Sequence, residues 1–373
     1  MSDPENDNFV FSANHERLDW QLWAIVLVIL AGASVLMAGI WRKLETFDPA
    51  EDFRVPYQLS EDYWVLRRWG KAAVESFPAL AVGDSVFWGQ YTRPSDSLAG
   101  QLNRAAGRKI FANFGVDGLH PAALEGLLRY HLPLPPETKI LLNFNLLWLS
   151  SATTDLSTED ESRFNHRKLV RQFFNSPPCY AAEFEQRLNA AWTRFSSAAL
   201  LLDHIESVYW QNNGLYQWCD ANPYRNPIAP FRKMSLPAPI DAPRMPARPW
   251  TATGHASQGV NMQWVGLENS YQWRCFVRTL ERLCRNGNQV FISVSPFNTA
   301  MLSDENKETH DQLLQEIVER LSEMRLPFAF EFHLQSESFA DASHPLADGY
   351  QTMAEKLLAQ QQFKEMFLGA NAD

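Results

Sequence analysis

Cysteine is scarce in this sequence: 373 residues contain four, and none lies in a C-x-x-C pair or at the His/Cys spacing of a metal site. The sequence also lacks a basic stripe with interleaved aromatic residues, and its net charge is -10. These absences argue against a metal centre and against nucleic acid as a partner. No internal repeat is visible, and 46% hydrophobic residues allow one sizeable core.

The few cysteines leave two redox states open. Cys275 and Cys284 are nine residues apart on one predicted helix, which separates them by about 13 Å in rise, too far for a disulfide. Cys179 and Cys219 could pair, since four cysteines allow three connectivities. We expect buried free thiols instead.

Charged residues are absent from the segment between Trp20 and Trp41. These 22 positions reach roughly 33 Å as a helix, enough to cross a hydrocarbon core of about 30 Å. A buried helix of a globular protein would carry a polar stripe, and a cleaved signal peptide would begin with a basic region, whereas this chain begins with Asp, Glu and Asn. We therefore predict a disordered tail over 1–17, a transmembrane anchor over 18–41 that contacts membrane lipid through Trp20–Trp41, and a connector over 42–76.

Short apolar runs alternate with amphipathic stretches over residues 77–368, which we predict to be one domain. Strands are predicted at 79–82, 109–114, 140–144, 290–294 and 328–332, and helices at 63–74, 97–106, 121–131, 267–285, 305–324 and 345–366. Strands of four to six residues separated by helices favour an α/β fold with a doubly wound parallel sheet. Ligands of such sheets bind at the carboxyl ends of the strands.

The alternation stops between 150 and 265, which we interpret as an insertion in the domain. Residues 181–210 are predicted to form one long or two shorter helices, and 223–249 is rich in proline and in basic residues. This basic stretch could contact anionic lipid or a partner protein. It could also be an extended loop whose charges are solvated.

Two short clusters carry groups that nucleophilic catalysis uses. The tripeptide GDS at 83–85 follows the apolar run 77–82, so Ser85 lies where a buried strand gives way to a loop. Asp341 and His344 lie about 250 residues later, in a D-x-x-H spacing. A serine hydroxyl needs a base to take its proton, and a histidine base works better when a carboxylate fixes its tautomer. The plainer alternatives are a capped turn at Ser85 and a surface or core histidine at 344.

These clusters resemble the SGNH (GDSL-type) hydrolase family. The sequence DASHPLADGY at 341–350 is similar to the family's closing D-x-x-H-P-x-x-x-G-Y, and GDS at 83–85 to its first block. The resemblance covers about 140 residues and implies a three-layer flavodoxin-like parallel sheet, to which this chain adds the helical and proline-rich insertion and the N-terminal transmembrane helix. It also implies Ser85 as nucleophile, His344 as general base and Asp341 as the group that orients the base.

The resemblance further implies an oxyanion hole, which is the set of donors that stabilises the negative oxygen of the intermediate. The backbone N–H of Ser85 would be one donor. The sequence NFGVDG at 113–118 resembles the family's second block, whose last glycine, here Gly118, donates a backbone N–H. The family's third block is G-x-N-D-like, whereas this chain has NFNLLW at 143–148, so Asn145 is the expected side-chain donor and Asn143 the alternative.

The function implied is that of a serine esterase or O-acyltransferase that acts through an acyl-enzyme on acetyl or other acyl esters, with no metal or organic cofactor. The anchor favours a cell-envelope glycan as the ester-bearing substrate. One alternative is a catalytically weak or inactive scaffold that binds a membrane protein partner such as a membrane-embedded acyltransferase. Another is a lipid esterase or thioesterase.

The orientation in the membrane is predicted by two conflicting signals. Arg42 and Lys43 follow the apolar segment and Arg17 alone precedes it, so the positive-inside rule would place the domain in the cytoplasm. Anchored members of the resembled family act mostly on the outer side. We expect an extracytoplasmic domain, because long domains translocate despite flanking charge.

Overall fold

A computed structural model of the chain describes residues 19–132, 134–155, 165–174, 177–180, 182–236, 242–253 and 259–369. The predicted tail over 1–17 lies outside the described residues. The strands are β1 (Ala79–Gly83), β2 (Phe111–Gly115), β3 (Lys139–Phe144), β4 (Gln289–Val294) and β5 (Phe328–Ala329). The helices are α1 (Trp20–Leu44), α2 (Tyr63–Ser76), α3 (Ser85–Trp88), α4 (Leu98–Ala105), α5 (Pro121–Gly126), α6 (Ala152–Asp155), α7 (Phe184–Phe195), α8 (Ser197–His204), α9 (Leu215–Ala221), α10 (Tyr271–Arg285), α11 (Asp304–Glu323), α12 (Ala347–Ala359) and α13 (Gln361–Phe367).

The five strands form one parallel sheet in the order β2-β1-β3-β4-β5. This is the flavodoxin-like order, in which the chain builds outward in both directions from the boundary between β1 and β3. The predicted α/β fold is confirmed. The boundary between β1 and β3 is the topological switch point, where such sheets open a crevice at the carboxyl ends of their strands.

The sheet is covered on both faces because its strands are apolar at almost every position. Residues alternate in the side they face: Leu80 and Val82 belong to the core beneath α2, α5, α10 and α11, whereas Ala79 and Ala81 belong to the core beneath α4, α12 and α13. A parallel sheet buried on both faces reads in sequence as continuous hydrophobic runs, as these strands do.

Two predicted elements, the last strand and the last helix, differ clearly from the structure. Strand β5 is two residues long instead of five, because the backbone turns after Ala329 and His333 takes a positive φ of 46°. The predicted helix over 345–366 is two helices, broken where Gln360 is extended. Pro345 precedes α12 and pairs with Phe339 in an isolated bridge instead of opening the helix. In the insertion, the predicted helical stretch forms two shorter helices, α7 and α8, which is one of the two alternatives expected, with a corner at Ser196.

Helix α1 is long and apolar enough to cross a membrane. Most of its side chains are exposed, but its last turns pack against the domain, where Ala38 is 2% exposed. The Trp41 ring meets the rings of Tyr209 and Phe231 edge-on, at centroid distances of 5.5 and 5.2 Å. The end of the predicted anchor is therefore part of a globular interface with the insertion.

A buried charge cluster fixes this junction. His204 on α8 contacts Glu45 Oε1 through Nε2 and Asp62 Oδ2 through Nδ1, each at 2.7 Å, and all three side chains are buried. Arg68 Nη1 and the Tyr209 hydroxyl also donate to Glu45, at 2.5 and 2.7 Å. A ring that bonds carboxylates at both nitrogens donates from both and is an imidazolium.

The pKa shifts of this cluster agree with its geometry. Burial acts to raise the pKa of Glu45, but the bonds from His204 and Tyr209 lower it to about 2. Burial acts to lower the pKa of His204, but the carboxylates of Asp62 and Glu45 raise it to about 9. The cluster therefore holds paired charges at neutral pH.

We predict that Glu45→Ala lowers the free energy of unfolding by about 3–5 kcal/mol, because it leaves a buried cation short of a partner. Denaturant unfolding of the full chain in detergent, followed by tryptophan fluorescence, measures this change. The control is Glu75→Ala, which removes an exposed pair with Lys71 and should cost less than about 0.5 kcal/mol. Equal losses in the two variants would contradict the prediction.

The same cluster predicts a pH dependence. A group with a raised folded-state pKa stabilises fully below its ordinary pKa and loses that contribution as the pH rises through the folded value. The wild-type free energy of unfolding should therefore decline toward pH 9 more steeply than that of Glu45→Ala.

Candidate active site

Ser85 is positioned by a strand, a bend and a short helix. Strand β1 ends at Gly83, and Ser85 is the first residue of α3. Asp84 caps that helix, since its Oδ1 accepts from Val86 N at 2.9 Å. Gly83 has no room for a side chain, because a Cβ there would lie 2.5 Å from Asn143 Cβ. The hydroxyl of Ser85 is thereby held at the carboxyl end of a central strand.

The loop of Asp341 and His344 is organised by the Asp341 carboxylate. Its Oδ1 accepts from the backbone N–H groups of Ser343 and His344, both at 3.0 Å. The same carboxylate contacts His344 Nδ1, at 2.8 Å from Oδ1 and 2.9 Å from Oδ2. A backbone bond from Ala340 N to His344 O at 2.9 Å closes the loop. One acid group therefore shapes the loop and orients the ring.

The structure brings the three predicted residues together. His344 Nε2 lies 2.8 Å from Ser85 Oγ, although 259 positions separate the two residues along the chain. Ser85 and His344 are 8% and 7% exposed. Asp341, His344 and Ser85 thus form a continuous line of hydrogen bonds from carboxylate through imidazole to hydroxyl.

Tyr91 is a fourth member of this line that the sequence did not reveal. Its hydroxyl donates to Asp341 Oδ2 at 3.1 Å, and its ring meets the His344 ring edge-on at 5.7 Å. Tyr91 lies only six residues after Ser85, but no sequence motif marks it. The Asp341 carboxylate is therefore held both by its own loop and by the loop that follows α3.

The charges of the site favour transfer of a proton to His344. Burial acts to lower the pKa of His344, but the hydrogen bond and charge of Asp341, together with the charges of Asp84 and Asp117, raise it above 6.5. Burial acts to raise the pKa of Asp341, but the bonds from His344 lower it. Asp341 is therefore ionised at neutral pH and can stabilise a protonated His344 ring.

Asp84 ties the two central strands together. Its Oδ1 accepts from Val86 N and Asn143 Nδ2, and its Oδ2 from Asn145 Nδ2 and Trp148 Nε1, all at 2.9 Å. Burial raises the pKa of Asp84, and the donors oppose that rise. An ionised carboxylate carries no proton, so its two oxygens can accept all four of these hydrogen bonds.

Asn145, the expected side-chain donor of the oxyanion hole, therefore already uses one N–H on Asp84. Asn143 does the same, and its Oδ1 also accepts from Ser295. An amide nitrogen has two hydrogens, so each side chain retains a second N–H. The predicted role of Asn145 needs that second hydrogen.

Gly118 lies in a loop that only glycine suits. Its φ is 70°, and a Cβ there would lie 2.4 Å from Asn165 Nδ2. The predicted insertion covers this loop, because Asn165 O lies 3.0 Å from His120 Nε2 and His166 Nε2 lies 2.7 Å from Asp117 O. Arg244, from the proline-rich stretch, forms an ion pair with Asp117. Residues of the predicted insertion thus hold the Gly118 loop in place.

His120 and the four cysteines lie outside the line from Asp341 to Ser85. His120 caps α5 by accepting from Ala123 N, and burial lowers its pKa to about 3. All four cysteines are free thiols; Cys179 and Cys275 are buried as expected, whereas Cys219 is half-buried and Cys284 is exposed. Among the residues that the structure describes, no group of three His, Cys, Asp or Glu side chains is placed to hold a metal ion.

The candidate site lies at the switch point of a five-stranded parallel sheet, with its serine after the first strand and its base after the last. The chain has the flavodoxin-like α/β strand order that the resemblance to the SGNH hydrolases implies. The first and last sequence blocks of that resemblance meet at one edge of the sheet.

Several solved structures are similar to the chain. They include a protein of the G-D-S-L family from Desulfitobacterium hafniense (10% identity, 74% of this chain and 95% of that one, TM-score 0.31). They also include an aryl esterase of M. smegmatis (11%, 76% and 99%, 0.29) and a carbohydrate acetylesterase from Sinorhizobium meliloti (10%, 76% and 99%, 0.29). No protein-family model and no curated protein matches the chain. At these identities and TM-scores, the similarity carries no argument about the chemistry of the site.

We predict that Asp341→Asn lowers the pKa of His344, because the neutral amide removes the charge that favours the imidazolium. Titration of the protein with 13C-labelled histidine rings, followed by NMR, measures the shift, with the His344 signal assigned from a His344→Gln variant. Asp311→Asn, which alters the exposed partner of His310, is the matched control. An unchanged His344 titration in Asp341→Asn would show that the carboxylate does not set its charge.

Proposed function

We propose that the chain is a membrane-anchored serine esterase or O-acyltransferase that acts through an acyl-enzyme. The observation that carries this proposal is the hydrogen-bonded line from Asp341 through His344 to Ser85, with 2.8 Å between the ring nitrogen and the hydroxyl. That distance is within the reach that a general base needs to take a proton. An inactive scaffold would have no need to hold a serine, an imidazole and a carboxylate in this order.

In the first half of the reaction, Ser85 Oγ attacks the ester carbonyl carbon while its proton passes to His344 Nε2. Asp341 stabilises the imidazolium that results. The negative oxygen of the tetrahedral intermediate accepts from the backbone N–H groups of Ser85 and Gly118 and from the second N–H of Asn145. The first of these opens α3, where backbone N–H groups have no partner within the helix.

The intermediate then collapses to an ester between the acyl group and Ser85. The bond to the leaving oxygen breaks, and His344 returns the proton to that oxygen, so an alcohol leaves. In the second half, His344 takes a proton from water or from an acceptor hydroxyl, which attacks the acyl carbon and frees Ser85. Water as acceptor makes the protein an esterase, and a sugar hydroxyl makes it an O-acyltransferase.

The helix α1, which is long and apolar enough to cross a membrane, favours an ester-bearing substrate of the cell envelope. We therefore propose an acylated cell-envelope glycan as the substrate class, with a lipid ester or thioester as the alternative.

We predict that Ser85→Ala reduces turnover of p-nitrophenyl acetate by roughly 10⁴-fold, because no other group forms the acyl-enzyme. The assay uses the purified full chain in detergent. Ser322→Ala, which alters an exposed serine of α11, is the matched control and should keep wild-type turnover. Equal rates for Ser85→Ala and the wild type would contradict the proposed enzyme activity and favour the scaffold function. Addition of a sugar acceptor, with detection of the acylated product, separates transfer from hydrolysis.

The same assay tests the oxyanion role of Asn145. Loss of one such donor typically costs about 100- to 1,000-fold in turnover. Asn145→Ala should show that loss with little change in KM. Asn143→Ala also removes one donor to Asp84 and is the matched control. Equal losses in both variants would contradict a separate role for Asn145, and a larger loss in Asn143→Ala would assign the donor to Asn143, the alternative.

We propose that the domain lies on the extracytoplasmic side, where an envelope glycan is accessible. Arg42, one of the two cations that oppose this orientation, lies over the Trp64 ring of the domain at 5.0 Å. Alkaline phosphatase, which is active only outside the cytoplasm, should be active when fused after Lys43. An inactive but stable fusion would place the domain in the cytoplasm.

A further inference from the structure

The exposed apolar surface of the domain is concentrated in the predicted insertion. Outside α1, eleven of the thirteen exposed large hydrophobic residues of the described chain lie between positions 173 and 228. A soluble domain rarely exposes so many large apolar side chains in one region unless they bind a membrane or a protein partner.

Helix α7 carries the clearest part of this surface. Phe184, Leu188, Trp192 and Phe195 are 73%, 50%, 61% and 81% exposed. Their spacing of four, four and three residues places them on one side of the helix. The opposite side packs inward through residues such as Ala190. We call these four residues the α7 stripe.

The α7 stripe lies close to the point where the anchor helix meets the domain. Only Ser196 separates α7 from α8, and α8 packs directly against α1. His204, at the end of α8, forms the buried ion pair with Glu45 at the end of α1. With 12 residues, α7 is about 18 Å long, and Phe195 at its end is the stripe residue next to α8.

The length of the anchor indicates where the membrane surface lies. The apolar part of α1 that has no domain packing runs from Trp20 to Met37, because Ala38 is already buried against the domain. These 18 residues span about 27 Å, slightly less than a hydrocarbon core of about 30 Å. A bilayer that covers this stretch therefore reaches the elements that pack around Ala38.

Basic residues surround the same point, in a chain whose net charge is -10. Arg42 and Lys43 are exposed at the end of α1. Arg232 and Lys233 are exposed directly after Phe231, whose ring packs on Trp41. Clusters of cations beside a membrane helix are attracted to anionic lipid headgroups.

We propose that the α7 stripe lies in the interface of an anionic bilayer, with the cations at positions 42, 43, 232 and 233 on lipid headgroups. The proposal rests on α1 spanning the membrane and is independent of the catalytic roles proposed above. An amphipathic helix with aromatic residues on its apolar side binds a membrane surface in this way. The insertion then fixes the distance of the domain from the membrane surface and the tilt of the domain.

The test uses the full chain in lipid nanodiscs of phosphatidylcholine, with or without phosphatidylglycerol. A fluorophore is attached at Leu188→Cys in the stripe, at Leu36→Cys in the anchor and at Gln312→Cys on α11. The exposed Cys284 and the half-buried Cys219 are first changed to Ser. Burial raises the pKa of Cys179 and Cys275 to about 12, so these two thiols react slowly with the label. Lipids that carry a nitroxide near the headgroup quench labels that lie in the interface.

We expect the labels at 36 and 188 to be quenched and the label at 312 to stay bright. Quenching at 36 without quenching at 188 would overturn the proposal and leave the anchor intact. Absence of quenching at 36 would overturn both. A label at 188 that is shielded from a water-soluble quencher but not quenched by lipid would assign the stripe to a protein partner, which also overturns the proposal.

The charges are tested with the double variant Arg232→Gln, Lys233→Gln. Each cation near an anionic surface contributes about a five-fold factor to association. Quenching at 188 should therefore fall in phosphatidylglycerol discs and change little in phosphatidylcholine alone. The variant Arg282→Gln, Arg285→Gln alters two basic residues of α10, outside the insertion, and is the matched control. Equal effects of the two double variants would remove the headgroup contacts from the proposal.

Discussion

The site depends on one buried carboxylate. Asp84 lies at the switch point of the sheet and accepts hydrogen bonds from the ends of β1 and β3 and from Trp148. A buried charge is tolerated only when its oxygens are satisfied, so these donors and Asp84 hold each other in place. Ser85 is the next residue, and the direction of its hydroxyl follows from this arrangement. The contact between Ser85 and His344 is built on that fixed point.

The insertion and the anchor extend this rigid centre outward. The predicted insertion covers the Gly118 loop through Asn165 and pairs Arg244 with Asp117, so it fixes the loop that the resemblance assigns to the oxyanion hole. Its helical part joins the anchor through the ion pair of His204 and Glu45. The candidate membrane helix and the Gly118 loop are therefore both held by this part of the chain.

The sequence could predict what depends on local order. Ser85 follows a short apolar run that is typical of a buried strand, and the D-x-x-H spacing lets one loop carry both Asp341 and His344. The contacts of Asp84 and Tyr91 could not be predicted, because they depend on which strands are neighbours and on how a loop folds back. Strand β5 was predicted three residues too long for a similar reason: its apolar run continues, but the backbone turns away from the sheet.

The central claim is that Ser85 is a nucleophile activated by His344. A fluorophosphonate reacts covalently with an activated serine, and mass spectrometry of the digested protein locates the adduct. The account predicts an adduct on Ser85 in the wild-type chain, and labelling that is slower by orders of magnitude in His344→Ala. An adduct on another residue, or equal labelling of Ser85 in both proteins, would contradict it.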